Sequence, residues 1–156
     1  MKSNPKIIDC LNGLLADELA AVNQYMVEAE MCGNWGLTKL ADMEEKRAIT
    51  EMKHAEALIA RILFLEGQPI VSELRRMSIG AEVPQMFEGD HGLEMGAVKS
   101  YNAAVALAVK VGDNASRELL EGILKDEDRH IDGIEANLDQ IGQMGVQNYL
   151  AVQIED

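Results

Sequence analysis

Apolar residues recur every three or four positions along most of the chain, and the breaks between these runs mark four long helical stretches and a short fifth. Asn4-Pro5 opens the first: a capping residue, then proline at a position where the missing N–H is not needed. Ile7, Leu11, Leu14, Leu15, Val22, Tyr25 and Ala29 share one face, and the stretch ends near Gly33. Asn34 is placed to cap the second stretch, which carries Leu40, Leu58, Ile62 and Leu65 and stops at Gly67 with Pro69 beyond. The third is expected from Pro84 to Val111, although Gly89, Gly92 and Gly96 each cost it roughly 1 kcal/mol relative to alanine. Gly112-Asp113 marks a stop and a new start, and the fourth runs to about Gly142. A short apolar segment, Val146 to Gln153, follows.

The link from Gly67 to about Glu82 is long for neighbouring helices in a bundle and suits a crossover between opposite ends. Helices of nearly thirty residues reach about 40–45 Å. The expected architecture is therefore all-α: an antiparallel four-helix bundle with one long crossover and a short fifth helix, forming one domain over residues 1–156.

Composition supports this and narrows the partners. Aromatic residues make up only 4% of the chain, which favours helix over sheet. The net charge of −13 repels phosphate backbones and anionic lipid, so neither nucleic acid nor a membrane surface is an expected partner. Cys10 and Cys32 form no CxxC pair and read as buried thiols of a reducing compartment. The start, MKSNPKIIDC, lacks the apolar run of a signal peptide, and no segment reaches membrane-spanning length; a cytoplasmic location is expected.

Two Glu-x-x-His motifs carry the candidate chemistry: Glu51-Met52-Lys53-His54 and Glu127-Asp128-Arg129-His130. Residues three apart share a helix face, so each pair can aim a carboxylate and an imidazole at one point. Glu18 precedes Glu51 by 33 residues and Glu94 precedes Glu127 by 33, so the two sets are offset by 76 (94 − 18 = 127 − 51). Glu18 shares a stripe with Leu11, Leu14, Val22 and Tyr25, while Glu51 and His54 share one with Leu58, Ile62 and Leu65, which argues against a solvated face. Four carboxylates crowded into a core would repel one another and lose their hydration; two dications remove that difficulty. Four glutamates and two histidines in a bundle is the inventory of carboxylate-bridged di-iron proteins, a match to a known template. Mixed oxygen and imidazole ligands suit iron in both oxidation states. Glu51 and Glu127 are expected to bridge, with Glu18, Glu94, His54 and His130 terminal, in a centre that oxidises Fe²⁺ with O₂ or H₂O₂.

Tyr25 and Tyr101 lie seven residues after Glu18 and Glu94 and obey the same offset; each could hydrogen-bond a ligand carboxylate or supply an electron. His91, three before Glu94, reads as a bystander or supporting group. Met52 points away from the Glu51–His54 direction, on a stripe with Ala48, Ala55 and Ile59 that suggests an oligomer interface. On periodicity alone it reads as packing.

The stretches LADELAAVNQY, NWGL, EMKHAE, RILFLEGQP, KDEDRHID and MGVQNYL resemble the bacterioferritins, a haem-containing branch of the ferritin-like superfamily, over essentially the whole chain. All six di-iron ligand positions coincide, and Met52 matches the haem-ligand methionine. The resemblance implies a ferritin-like bundle in a hollow shell of twenty-four subunits that oxidises ferrous iron and stores ferric mineral. It also implies haem b at each two-fold interface held by Met52 of both chains, a working role for Tyr25, a channel lined by the last segment, and a small ferredoxin that reduces the haem to release iron. Some relatives bear a histidine and an acid on the inner face of the second helix as an auxiliary iron site; Lys46 and Thr50 stand there, so that site does not carry over. His91, Tyr101 and the early glycines of the third helix are further departures. A peroxide-reducing di-iron enzyme of the rubrerythrin kind shares the paired motifs but usually brings a CxxC domain or an extra glutamate. A haem-bearing electron-transfer shell with a merely structural di-iron site is the other alternative.

Overall fold

The computed structural model describes residues 1–154, so the last two positions of the expected 1–156 domain lie outside the described residues. Its helices are α1 (Pro5–Asn34), α2 (Thr38–Phe64), α3 (Val83–Val111), α4 (Asn114–Met144) and α5 (Val146–Ala151). This is the ferritin-like four-helix bundle with a short fifth helix, and no strand occurs among the described residues.

The helix ends follow local chemistry. Asn4 accepts from the Lys6 N–H, and Pro5 occupies the first turn of α1. Asp113 caps α4 by accepting from the Ser116 N–H at 3.0 Å, and Arg61 of α2 donates to both Asp113 and Ser116 at 2.8 Å. That clamp ties the end of α2 to the start of α4. Asn34 does not cap α2. The Trp35 N–H returns to Met31 O and the Leu37 N–H to Cys32 O, so α1 runs past Gly33 and α2 begins only at Thr38. Near the end of α2, Glu66 rather than Gly67 takes the left-handed conformation, at φ 61°. Gly67 serves close approach instead: a Cβ there would lie 2.8 Å from the Ile8 side chain.

The crossover from α2 to α3 runs the length of α1. Asn12 donates to Gln68 O and accepts from the Ile70 N–H; Asp17 pairs with Arg75 at 3.2 Å; Gln24 accepts from the Ser78 N–H at 3.0 Å. Three polar residues of α1 thus serve as successive anchors, and α3 starts at the opposite end from where α2 finished.

Two apolar clusters close the bundle. At the amino-terminal end Ile7, Leu11, Leu14, Leu15, Leu58, Ile62, Ala104, Leu120 and Ile123 pack together. At the other end Cys32, Leu40, Val83, Phe87 and Ile134 are covered by Tyr149 of α5, whose hydroxyl donates to Asn137 at 2.5 Å. Each large aliphatic side chain buried this way contributes about 1.5–3 kcal/mol. Between the clusters lies a belt of buried charge.

Candidate metal centre

Each of the four long helices brings one carboxylate to this belt. Glu18, Glu51, Glu94 and Glu127 are all at most 2% exposed, far from the usual place of a glutamate. His54 and His130 stand one turn after Glu51 and Glu127, and all six predicted side chains meet. Their ligand atoms form two groups, Glu18–Glu51–His54–Glu127 and Glu51–Glu94–Glu127–His130, within which the atoms lie inside 4.8 Å of one another. Glu51 and Glu127 belong to both groups, whereas Glu18 and Glu94 belong to one each.

The imidazoles show the same division. His54 Nδ1 lies 3.0 Å from Glu127, 3.7 Å from Glu51 and 3.7 Å from Glu18. His130 Nδ1 lies 2.9 Å from Glu51, 3.2 Å from Glu94 and 3.6 Å from Glu127. On the far side of its ring His54 Nε2 meets Asp126 at 2.8 Å, which fixes the ring with Nδ1 inward. Asp126 carried no signal in the sequence, because its contact depends on how α2 and α4 face each other.

Burial alone would push both imidazoles down, but the carboxylates facing them push them up, His130 to about 11 and His54 further still. Burial pushes Glu94 up to about 8 and raises Glu51 as well. Burial opposes the charge of Glu127 too, yet the two histidines hold its carboxyl well below the usual range. Glu18 Oε2, Glu94 Oε2, both Glu127 oxygens and His54 Nδ1 nevertheless lack a hydrogen-bond partner. Orphaned buried acceptors in a converging set suit a bound cation.

Two tyrosines brace the centre crosswise. Tyr25 of α1 donates to Glu94 of α3 at 2.5 Å, and Tyr101 of α3 donates to Glu18 of α1. Both are fully buried. Spacing shows that each tyrosine faces the belt; only the antiparallel packing of α1 on α3 shows that each serves the glutamate of the other helix. His91 is not part of the site and pairs with Glu135 near the surface.

A cleft of about 220 Å³ opens onto Glu18, Glu51, Glu94 and Glu127 between α1 and α3. Gly92 and Gly96 line it, with Arg75 and Arg76 of the crossover beside them, and a Cβ at either glycine would meet nothing within 4 Å. Two of the three glycines that weaken the helical pattern of α3, Gly92 and Gly96, therefore sit at an opening to the belt, while at Gly89 a Cβ would lie 2.7 Å from Ser78 O of the crossover.

Met52 lies on the opposite face of α2, 43% exposed, beside a groove of about 420 Å³ between α1 and α2. The stripe expected to accompany it is corrected by the packing. Ala48 does line the groove, but Ala55 turns into the core and Ile59 packs against that core. Glu45, Ile49, Met26 and Val22 take their place, so Val22 faces outward and not with Leu11 and Leu14.

Fold and site together define a ferritin-like bundle with a buried carboxylate–histidine centre. A family model described as Ferritin-like domain matches residues 8–144. The chain is 40% identical to a bacterioferritin of Brucella melitensis, covering 96% of this chain and 92% of that one. It is 37% identical to one of Rhodobacter capsulatus (96% and 92%) and 36% identical to one of Mycolicibacterium paratuberculosis (97% and 95%). The chain belongs to the ferritin family and, within it, to the bacterioferritins. No helix among the described residues is long and apolar enough to cross a membrane.

Proposed function

We propose that this member of an iron-storing family oxidises ferrous iron at the six-residue centre and passes the ferric product to a mineral inside a shell of twenty-four copies of itself. The observation that carries the reading is the sharing of Glu51 and Glu127 between two ligand groups. Such sharing suits two ions side by side, with Glu51 and Glu127 bridging, Glu18 and His54 holding one, and Glu94 and His130 the other. Two ferrous substrate ions there give one electron each to O₂ or H₂O₂.

The chain's own residues prepare that reaction. Asp126 keeps the His54 ring aimed inward. Tyr101 and Tyr25 each engage one oxygen of Glu18 and Glu94, leaving the second free. Tyr25, buried against Glu94, would act as an electron donor beside the centre, a role that its hydrogen bond to Glu94 supports. Protons held on the histidines by the surrounding carboxylates must leave as iron enters, so loading is favoured as pH rises. The cleft past Gly92 and Gly96 provides entry.

The groove beside Met52 fits haem b. It is lined by the small residues Ala29, Gly33, Ala41 and Ala48, by Val22, Met26 and Ile49, and by Glu30 and Glu45, and the Met52 side chain is half exposed. Met52 from each of two copies would ligate the iron, and the haem would supply a one-electron route by which a small ferredoxin releases stored iron.

Rapid mixing with Fe²⁺ while following oxygen consumption tests the centre. Glu18→Ala is expected to slow oxidation more than about 100-fold, beyond the usual cost of losing a supporting contact; a variant as fast as the parent overturns the reading. Met52→Leu should give a colourless shell that still oxidises iron, and a retained Soret band would refute the haem assignment.

A further inference from the structure

A second group of buried acids sits beside the centre. Glu28 of α1, Glu44 of α2 and Asp90 of α3 are 0%, 3% and 0% exposed, and one oxygen from each lies within 4.8 Å of the others. Neighbouring groups satisfy only part of this set. Arg47 donates to Glu44 Oε1 at 3.2 Å, and Gln24 donates to Asp90 Oδ1 at 2.8 Å. Gln24 is held in that pose from behind, since its own oxygen accepts from the Ser78 N–H of the crossover. Both oxygens of Glu28, together with Glu44 Oε2 and Asp90 Oδ2, have no hydrogen-bond partner. Glu28 is thus completely buried, aimed into the cluster and unmatched.

The fold does not require this. Applying the 76-residue offset that relates Glu18 to Glu94 places Leu14 opposite Asp90, Ala104 opposite Glu28, Leu120 opposite Glu44 and Ile123 opposite Arg47 (14 + 76 = 90, 28 + 76 = 104, 44 + 76 = 120, 47 + 76 = 123). All four counterparts belong to the amino-terminal apolar core. The same frame accepts hydrocarbon at these positions, so the acids answer to something other than packing. Three carboxylates and one guanidinium leave a formal charge of −2, which one dication neutralises.

We propose that Glu28, Glu44 and Asp90 form a third cation site, an all-oxygen pocket for a hard divalent ion, one helical turn from Glu94 along α3. Oxygen-only ligands select Mn²⁺, Fe²⁺, Mg²⁺ or Ca²⁺ over softer metals. Asp90 precedes Glu94 by four residues, about 6 Å of helical rise, so an ion here neighbours the di-metal centre without sharing its ligands.

The competing state is a proton shared between Glu28 and Asp90, and the test separates the two. Metal-stripped assembled protein is loaded anaerobically with Mn²⁺, crystallised, and its anomalous density compared with that of Glu28→Gln, a variant of nearly equal shape. The parent is expected to show density at the two central positions and between Glu28, Glu44 and Asp90; Glu28→Gln should lose the last and keep the first two. In solution that variant should bind one Mn²⁺ fewer per subunit. Central density without the third peak, together with an infrared band of a protonated carboxyl that disappears in Glu28→Gln, overturns the proposal. Loss of central density alone would instead count against the di-metal reading.

Discussion

On one side of the carboxylate–histidine belt, Leu14, Ala104, Leu120 and Ile123 pack as hydrocarbon; on the other, the related positions hold Asp90, Glu28, Glu44 and Arg47. The two sets of positions are related by the same 76-residue offset, so one bundle carries both fillings at corresponding places. The hydrocarbon layer belongs to one of the two apolar clusters that close the bundle, and the acid layer lies between the belt and the other. The acidic end holds four unmatched oxygens that weaken the empty protein and suit a cation. Buried charge in this molecule is accordingly gathered in the belt and the acid cluster beside it, and is absent from the hydrocarbon layer at the related positions.

Placing the acidic chemistry at the apolar end should produce the largest effect. Leu120→Glu introduces the counterpart of Glu44 with Ile123 standing where Arg47 would be and Arg61 already engaged by Asp113 and Ser116, and is expected to cost about 4 kcal/mol, measured from the denaturant midpoint. A midpoint close to the parent's would show that the apolar end can hydrate.

The two ends should also answer oppositely to pH in metal-free protein. Burial, only partly offset by Arg47, pushes Glu44 up from 4.5 to about 8. The folded state therefore keeps a proton that the unfolded chain has lost, and this contribution to stability is present below about pH 4.5 and lost as pH rises toward 8. Asp113 at the apolar end behaves the other way. Burial disfavours its charge, but the Ser116 hydroxyl and N–H and the Arg61 guanidinium lower it below 3.8. Its contribution is present above that value and lost on further acidification. Unfolding midpoints across pH should fall from both sides. Glu44→Leu/Arg47→Ile should make the alkaline branch shallower, with Glu94 keeping part of it, and Asp113→Asn should make the acid one shallower, while Mn²⁺ added to the parent should lift the alkaline branch. An alkaline branch unchanged by the double variant would detach it from Glu44.

Within the acidic end, one partner should matter more than the pair. Arg47→Ile alone leaves Glu44 buried without its cation and is expected to cost about 3 kcal/mol in metal-free protein, whereas Glu44→Leu/Arg47→Ile should lie within about 1 kcal/mol of the parent. Equal losses in both variants would mean that the pair stabilises this end in its own right.

The smallest effect expected is at the opening between the ends. Gly96→Ala adds a methyl in free space on α3 and should raise stability by about 1 kcal/mol. The same methyl narrows the cleft to the four glutamates, so ferrous oxidation should slow while anaerobic Mn²⁺ affinity stays unchanged. A faster reaction would place the entry elsewhere.

Periodicity and punctuation alone determined the four long helices, the crossover, and the face that each of Glu18, Glu51, His54, Glu94, Glu127 and His130 presents, because helical geometry ties position in the chain to direction in space. The 76-residue offset related the two tyrosines to each other and put both on faces toward the belt, without showing which glutamate each would serve. Packing decided the rest. Tyr25 serves Glu94 and Tyr101 serves Glu18 because antiparallel α1 and α3 bring each hydroxyl to the other helix. Asp126 reaches His54, Ala55 turns inward and Val22 outward only once the neighbouring helices are in place. Glu28, Glu44 and Asp90 form no motif among themselves: Asp90 lies four residues before Glu94 and Glu44 seven before Glu51, which places each on an inward face, but only the packing of three helices brings the three acids together.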